Sequence, residues 1–167
     1  MERVLQRNGI SAVQIGAAKV LVLTAVLWIL MALLWTGLRI GIPAIFGTET
    51  IVFSDQQAAA LFALLPVSFA AAALLQLLYT LAGDPVHGAM LLLLTGFFLL
   101  LAGGCILPAD MLPPSVALPG RYLPTACWQQ DLTALMTGHY SIRQALCELG
   151  YGALFLGMGD FFLWKNI

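Results

Sequence analysis

Acid–base, thiol and metal chemistry would have to come from a small inventory in this chain: two His, eight Asp plus Glu and three Cys among 167 residues. Asp131 and His139 stand eight positions apart, a pair able to relay a proton, but no evident nucleophile accompanies them. The nucleophile elbow G-x-S-x-G, the zinc motif H-E-x-x-H, the phosphate loop G-x-x-x-x-G-K-[ST] and a pair of intramembrane aspartates are all missing from the sequence. Cys105, Cys127 and Cys147 are odd in number and lack metal-ligand spacing. Either Cys105 pairs with Cys127 in an oxidising compartment, or all three are buried, inert thiols. The sequence therefore reads as a chain that is not an enzyme, with no catalytic, cofactor or metal residues of its own and no nucleic-acid partner.

Two polar residues stand out because they interrupt apolar runs. Gln76 could hydrogen-bond across helices, and Asp160 could face a cavity or a partner helix, since a carboxylate exposed to lipid is costly. For Asp160 the plainer reading is an interfacial group paired with Lys165 or water. Glu148 reads as a hydrated residue near a helix end. Asp84, Pro85 and His87 have the composition of a tight turn.

These residues are set in a chain that is 61% hydrophobic and only 9% charged, a composition that cannot cover a water-facing surface in the usual proportion. The expected fold class is all-α: a polytopic helical membrane protein with about four transmembrane helices. Crossing a hydrocarbon core of roughly 30 Å takes about 20 helical residues. Val20–Leu38, Ala58–Leu81, Gly88–Leu107 and Ala145–Trp164 meet that length. Pro66 should bend the second, either as a hinge or as a tolerated kink. Arg3, Arg7 and Lys19 precede the first span and only Arg39 follows it, which predicts a cytoplasmic N-terminus. An even number of spans returns the C-terminus to the same side.

The connecting segments have signals of their own. Ser11 with Gln14, and Ser141 with Gln144, have the form of capping boxes opening helices. Asn8-Gly9 reads as a bend. Leu107 to Pro124 holds five prolines, which favour short, stiff, non-helical pieces. From Ala126 to Met136 the spacing places Trp128, Leu132, Leu135 and Met136 near one helical face and Gln129, Gln130 and Thr133 on another, as on an interfacial helix. Ala70 to Ala73, and Ala153 with Gly157, are small enough for close helix contact. Trp35 and Trp164 fall near span ends and read as belt anchors.

In its order of elements the chain resembles the C-terminal part of an ABC type-2 exporter permease. The likeness runs from ERVLQRNGISAVQIGAAK, through GGCILPADMLPPSVALPGRYLPTACWQQDLTALMTG, to a last span ending in WKNI. In that family a cytoplasmic stretch of the form E-R-x-x-x-x-x-G-x-S, followed by a Lys, carries a coupling helix that docks on the ATPase subunit. Glu2, Arg3, Gly9, Ser11 and Lys19 match it. The resemblance makes Arg3, Arg7, Asn8 and Gly9 candidates for ATPase coupling, although Arg3 and Arg7 also serve as plain topology signals. An external re-entrant hairpin marked by Leu-Pro pairs precedes the family's last span, and Pro108, Pro113, Pro119 and Pro124 each follow a Leu here. The implied organisation is a cytoplasmic coupling segment (1–19), three transmembrane helices (20–107), an external re-entrant or interfacial hairpin (108–144) and a last transmembrane helix with a short tail (145–167). Family members have six spans, so the chain is expected to be a truncated, split or decayed permease. The implied function is a membrane subunit of an ATP-driven exporter in the plasma (inner) membrane, with ATP bound by a separate ATPase. A second permease subunit, or the missing N-terminal spans, would complete it. The other reading is a non-transporting accessory or degenerate permease-like protein.

Overall fold

The computed structural model of the chain describes residues 12–47, 57–107, 111–137 and 139–165. They are helical and turn residues, without strands among them. In chain order the helices are α1 (Ala12–Phe46), α2 (Gln57–Ala82), α3 (Pro85–Ala102), α4 (Pro114–Gly120), α5 (Pro124–Thr137) and α6 (Ile142–Lys165).

Three helices contain segments long and apolar enough to cross a membrane: Val13–Ile45, Ala60–Ala82 and Ile142–Phe162. The apolar part of α3, Val86–Ala102, is shorter. The expected third span thus begins slightly earlier and ends five residues sooner than Leu107, because the chain turns at Gly103-Gly104. Gly104 adopts a left-handed conformation (φ 82°), and the Cys105 and Gly104 amides bond the Leu100 and Leu101 carbonyls at 3.0 and 3.2 Å. This paired closure satisfies carbonyls that the end of a helix leaves open. The first helix is longer than its predicted span, running about 50 Å at 1.5 Å per residue.

The second helix is the centre of the bundle. Its apolar segment is 61% buried within the chain, against 6% for α1 and 17% for α6. Ala63, Ala70, Ala72 and Ala73 make this burial achievable, since small side chains let neighbouring backbones approach. On one side of α2, Val20, Leu23 and Leu27 of α1 pack with Ala72, Ala73, Phe155 and Leu156. Nearer the other end, Trp35 packs with Ala60, Ala63, Leu64 and Leu135. Trp35 is therefore a core residue and not the belt anchor its position suggested. The side chain of Trp164 lies outside the described residues. Pro66 sits inside an uninterrupted α2. Lacking an N–H, it leaves the Phe62 carbonyl without its helical partner, and the adjacent Leu61 carbonyl accepts the Trp28 indole N–H at 2.8 Å.

The last helix meets α2 through a different small-residue stripe from the one expected. A Cβ on Gly152 would collide with the Phe69 ring, and one on Gly159 would stand 3.6 Å from the Leu77 Cα. Ala153 and Gly157 are exposed instead. The outer faces of α1 and α3 present Leu21, Leu33, Leu34, Met90, Leu93 and Leu94, an apolar surface suited to lipid.

Prolines in the connecting segment start helices as well as excluding them. Pro114 opens α4, Pro119 lies inside that seven-residue helix, and Pro124 opens α5. Proline at a first helical position loses no bond, because its N–H would be unpaired there anyway. The expectation of purely non-helical pieces is corrected to this extent. Pro113 precedes α4 in extended geometry (φ −55°, ψ 143°), and Pro108 lies outside the described residues.

Candidate functional site

The most unusual chemistry in the fold is a pair of carboxyl groups buried between α5 and α6. Asp131 is 2% exposed and Glu148 is 0% exposed. Each arises from a helical repeat. Along α5, Pro124, Asp131 and Leu135 lie on the buried side with Trp128 beside them, while Gln129, Gln130 and Thr133 face outward as their spacing predicted. Leu132 departs from its predicted face and is exposed. Along α6, Glu148, Gly152 and Gly159 form the buried stripe. Three residues from Trp128 and four from Leu135 on α5, and four from Gly152 on α6, the two acids are brought together by α5 packing on α6.

Glu148 accepts the Trp128 indole N–H at 2.5 Å. The Asp131 carboxyl lies within hydrogen-bond reach of Glu148. Asp131 Oδ2 and Glu148 Oε1 are both buried and receive no N–H or O–H donor among the described residues. No salt bridge joins either acid to a basic side chain among the described residues. The Tyr140 hydroxyl is likewise buried without a partner among the described residues. Burial lifts the Asp131 carboxyl above its ordinary range, opposed by its hydrogen bond with Glu148. Burial, with the negative charges of Asp131 and Glu148, pushes the Tyr140 phenol up to about 12. Desolvation, followed by the charge of Glu148, raises the Cys127 thiol as well.

Around this pair the connecting segment is fastened to the helices. Thr125, 2% exposed, donates its hydroxyl to the Leu99 carbonyl at 2.6 Å. Gly120 lies against the Ala102 carbonyl, closer than any Cβ would allow. Tyr151 of α6 donates to the Tyr122 carbonyl at 2.6 Å. Ser141 and Gln144 form the predicted start of α6: the Gln144 side chain accepts the Ser141 amide at 2.8 Å. A cleft of about 510 Å³ opens between these pieces, lined by Gly103, Gly120, Arg121, Gln129 and Gln130 among others.

At the opposite end of the bundle lie the two intramembrane polar candidates. Gln76 is 7% exposed, and its Cγ lies 3.9 Å from where a Gly159 Cβ would stand, so it faces α6 beside Asp160. The Asp160 Oδ1 atom is buried without a partner among the described residues. No hydrogen bond joins Gln76 to Asp160, and the Lys165 side chain lies outside the described residues. Gln76 shares a surface cleft with Ala18, Lys19, Val22 and Leu23. The predicted Asp84 turn is present: Gly83 has φ 69°, Pro85 opens α3, and Asp84 contacts His87 Nδ1 at 2.8 Å. Glu2, Arg3, Arg7, Asn8, Gly9 and Ser11 all lie outside the described residues. The three cysteines are free, with Cys105 and Cys147 exposed and Cys127 half-buried. Neither the Cys105–Cys127 pairing nor the picture of three buried thiols describes them.

Glu148 was expected to be hydrated and is instead sealed. The readable signal was its place four residues before Gly152 on a stripe of close helix contact. Asp131 carried a similar signal, since it falls on the face of α5 that also bears Trp128 and Leu135.

Comparison with family models, with curated proteins and with solved structures finds no match to this chain.

Proposed function

We propose that the chain is a membrane permease subunit, or part of one, that works with a separate ATPase in an ABC-type exporter. The observation that carries this reading is the return segment between α3 and α6. Residues rich in Leu-Pro pairs, which could have formed a loose loop, instead fold as α4 and α5. They are held to the end of α3 by Thr125 and to α6 by Trp128 and Tyr151. A built hairpin before the last helix is what the sequence resemblance implies. It lies at the end of the bundle opposite the α2–α3 turn.

On this reading α3 crosses the membrane as a fourth span, its 18 residues reaching about 27 Å. Both termini and the Gly83-Asp84 turn are cytoplasmic, and the α4–α5 hairpin is external, entering the outer leaflet of the inner membrane. The chain supplies one wall of a substrate pathway. Its partner supplies ATP binding and hydrolysis, and a second permease subunit supplies the facing wall. ATP-driven closure of the ATPase would act through contact with the N-terminal bend and shift the balance between inward-facing and outward-facing arrangements.

The test replaces the Arg7-Asn8-Gly9 bend with three alanines in the chain reconstituted with its ATPase in vesicles. ATP hydrolysis is expected to continue while its coupling to transport is lost, with insertion unchanged. Coupling that survives the replacement would refute the assignment of this bend.

A further inference from the structure

Two carboxyl groups in hydrogen-bond reach, both buried and lacking a cation among the described residues, cannot both carry charge at ordinary cost. Like charges at such separation repel strongly in a low-dielectric interior, and an unpaired buried charge is among the most expensive groups a protein can hold. The groups facing the pair offer no neutralisation. On α5 they are Cys127 and Trp128, on α6 Tyr151, and in the connection Tyr140. Helix α2 carries no charged residue. Arg39 stands on α1, one turn beyond Trp35. Arg121, His139 and Arg143 are exposed.

We infer that Asp131 and Glu148 form a proton-binding site, holding one proton between them as a latch that fastens the hairpin helix α5 to the membrane helix α6. Each acid has one buried oxygen without a partner among the described residues. A hydrogen on Glu148 Oε1 donated to Asp131 Oδ2 gives each of these buried atoms a partner, while Glu148 Oε2 keeps the Trp128 indole. Separation of α5 from α6 admits water, ionises both carboxyls and releases the proton at the hairpin end of the bundle. Acid therefore holds the hairpin docked and alkali frees it. The inference concerns only this chain's own residues and stands whether or not the chain belongs to a transporter.

The test is infrared spectroscopy of the purified, folded chain in lipid nanodiscs at neutral pH. All variants carry D160N, so that the other partly buried carboxyl cannot contribute. The D160N protein should show a protonated-carboxyl C=O band that shifts in D2O, and adding E148Q or D131N, which changes the proton's partner, should abolish the band or shift its frequency. A band absent from the D160N protein, or unchanged by both further substitutions, overturns the proposal. Hydrogen exchange supplies a check that needs only the D160N chain. Protection along α5, the exchange rate relative to the intrinsic base-catalysed rate at each pH, should fall several-fold from mildly acidic to alkaline pH while protection along α2 stays constant. Equal behaviour of the two helices would also overturn it.

Discussion

Glu148→Ala should be among the most damaging single changes in this chain, because it orphans the Trp128 indole, strips Asp131 of its neighbour and leaves a void. We expect a loss of about 3 kcal/mol, combining an unsatisfied buried donor with a cavity, read as a lower Tm in detergent. Glu148→Gln, which keeps the shape and can still accept the indole and donate to Asp131, should stay close to the parent. Equal damage from the two substitutions would mean that the carboxyl's volume matters and its hydrogen bonds do not. Trp128→Phe keeps an aromatic ring but removes the indole donor, at a cost of about 1.5–3 kcal/mol for a bond of this kind to a charged acceptor, and less when Glu148 is protonated. The sequence showed that Asp131 and Glu148 existed but not that they meet. Acidic residues on short amphipathic helices and near helix ends are ordinarily hydrated, and only the packing of α5 on α6 turns these two inward. Trp35 was misplaced for a similar reason: proximity to a span end says nothing about which face of α1 meets α2.

At the scale of elements, Gly152 and Gly157 form a matched comparison on one helix. Gly152→Leu would drive a side chain into the Phe69 ring against the α2 backbone, and should cost about 1–3 kcal/mol or prevent folding. Gly157→Leu meets nothing within 4 Å and should leave Tm almost unchanged. Thr125→Val removes the hydroxyl that bonds the Leu99 carbonyl with little change of shape. It should cost about 1 kcal/mol and raise the protease sensitivity of the α4–α5 segment ahead of the main bundle. The start of α6 was legible because the Ser141–Gln144 box is a local signal with a local cause. Apolar run lengths located the three helices long and apolar enough to cross a membrane for the same reason. The short helix α4 was hidden by its prolines, which read as breakers until one sees that Pro114 and Pro124 occupy first-turn positions, where proline has no bond to lose.

For the whole molecule, the buried acids give stability a definite dependence on pH. Burial holds the Asp131 carboxyl above its usual value, so the folded chain retains a proton that the unfolded chain releases above about pH 4. The stabilisation is complete below that unfolded value and is lost as pH rises through the folded one. Tm should therefore decline as pH is raised above the unfolded carboxyl's value of about 4, and the decline should flatten in the Asp131→Asn, Glu148→Gln double variant. A Tm that rises instead would contradict the sealed pair. The scale of the whole molecule is also where sequence alone says least. Length, hydropathy and proline spacing describe a bundle of apolar helices with a built return segment, whereas the identity of any partner depends on a surface shared with another chain.

The most direct measurement is therefore purification of the tagged chain from its native membranes in mild detergent, with identification by mass spectrometry of the proteins that remain bound. A permease subunit should retain an ATPase of the ABC type, with or without a second permease chain, and the complex should hydrolyse ATP. Recovery of the folded chain with no ATPase attached would contradict the exporter account and favour a non-transporting accessory membrane protein.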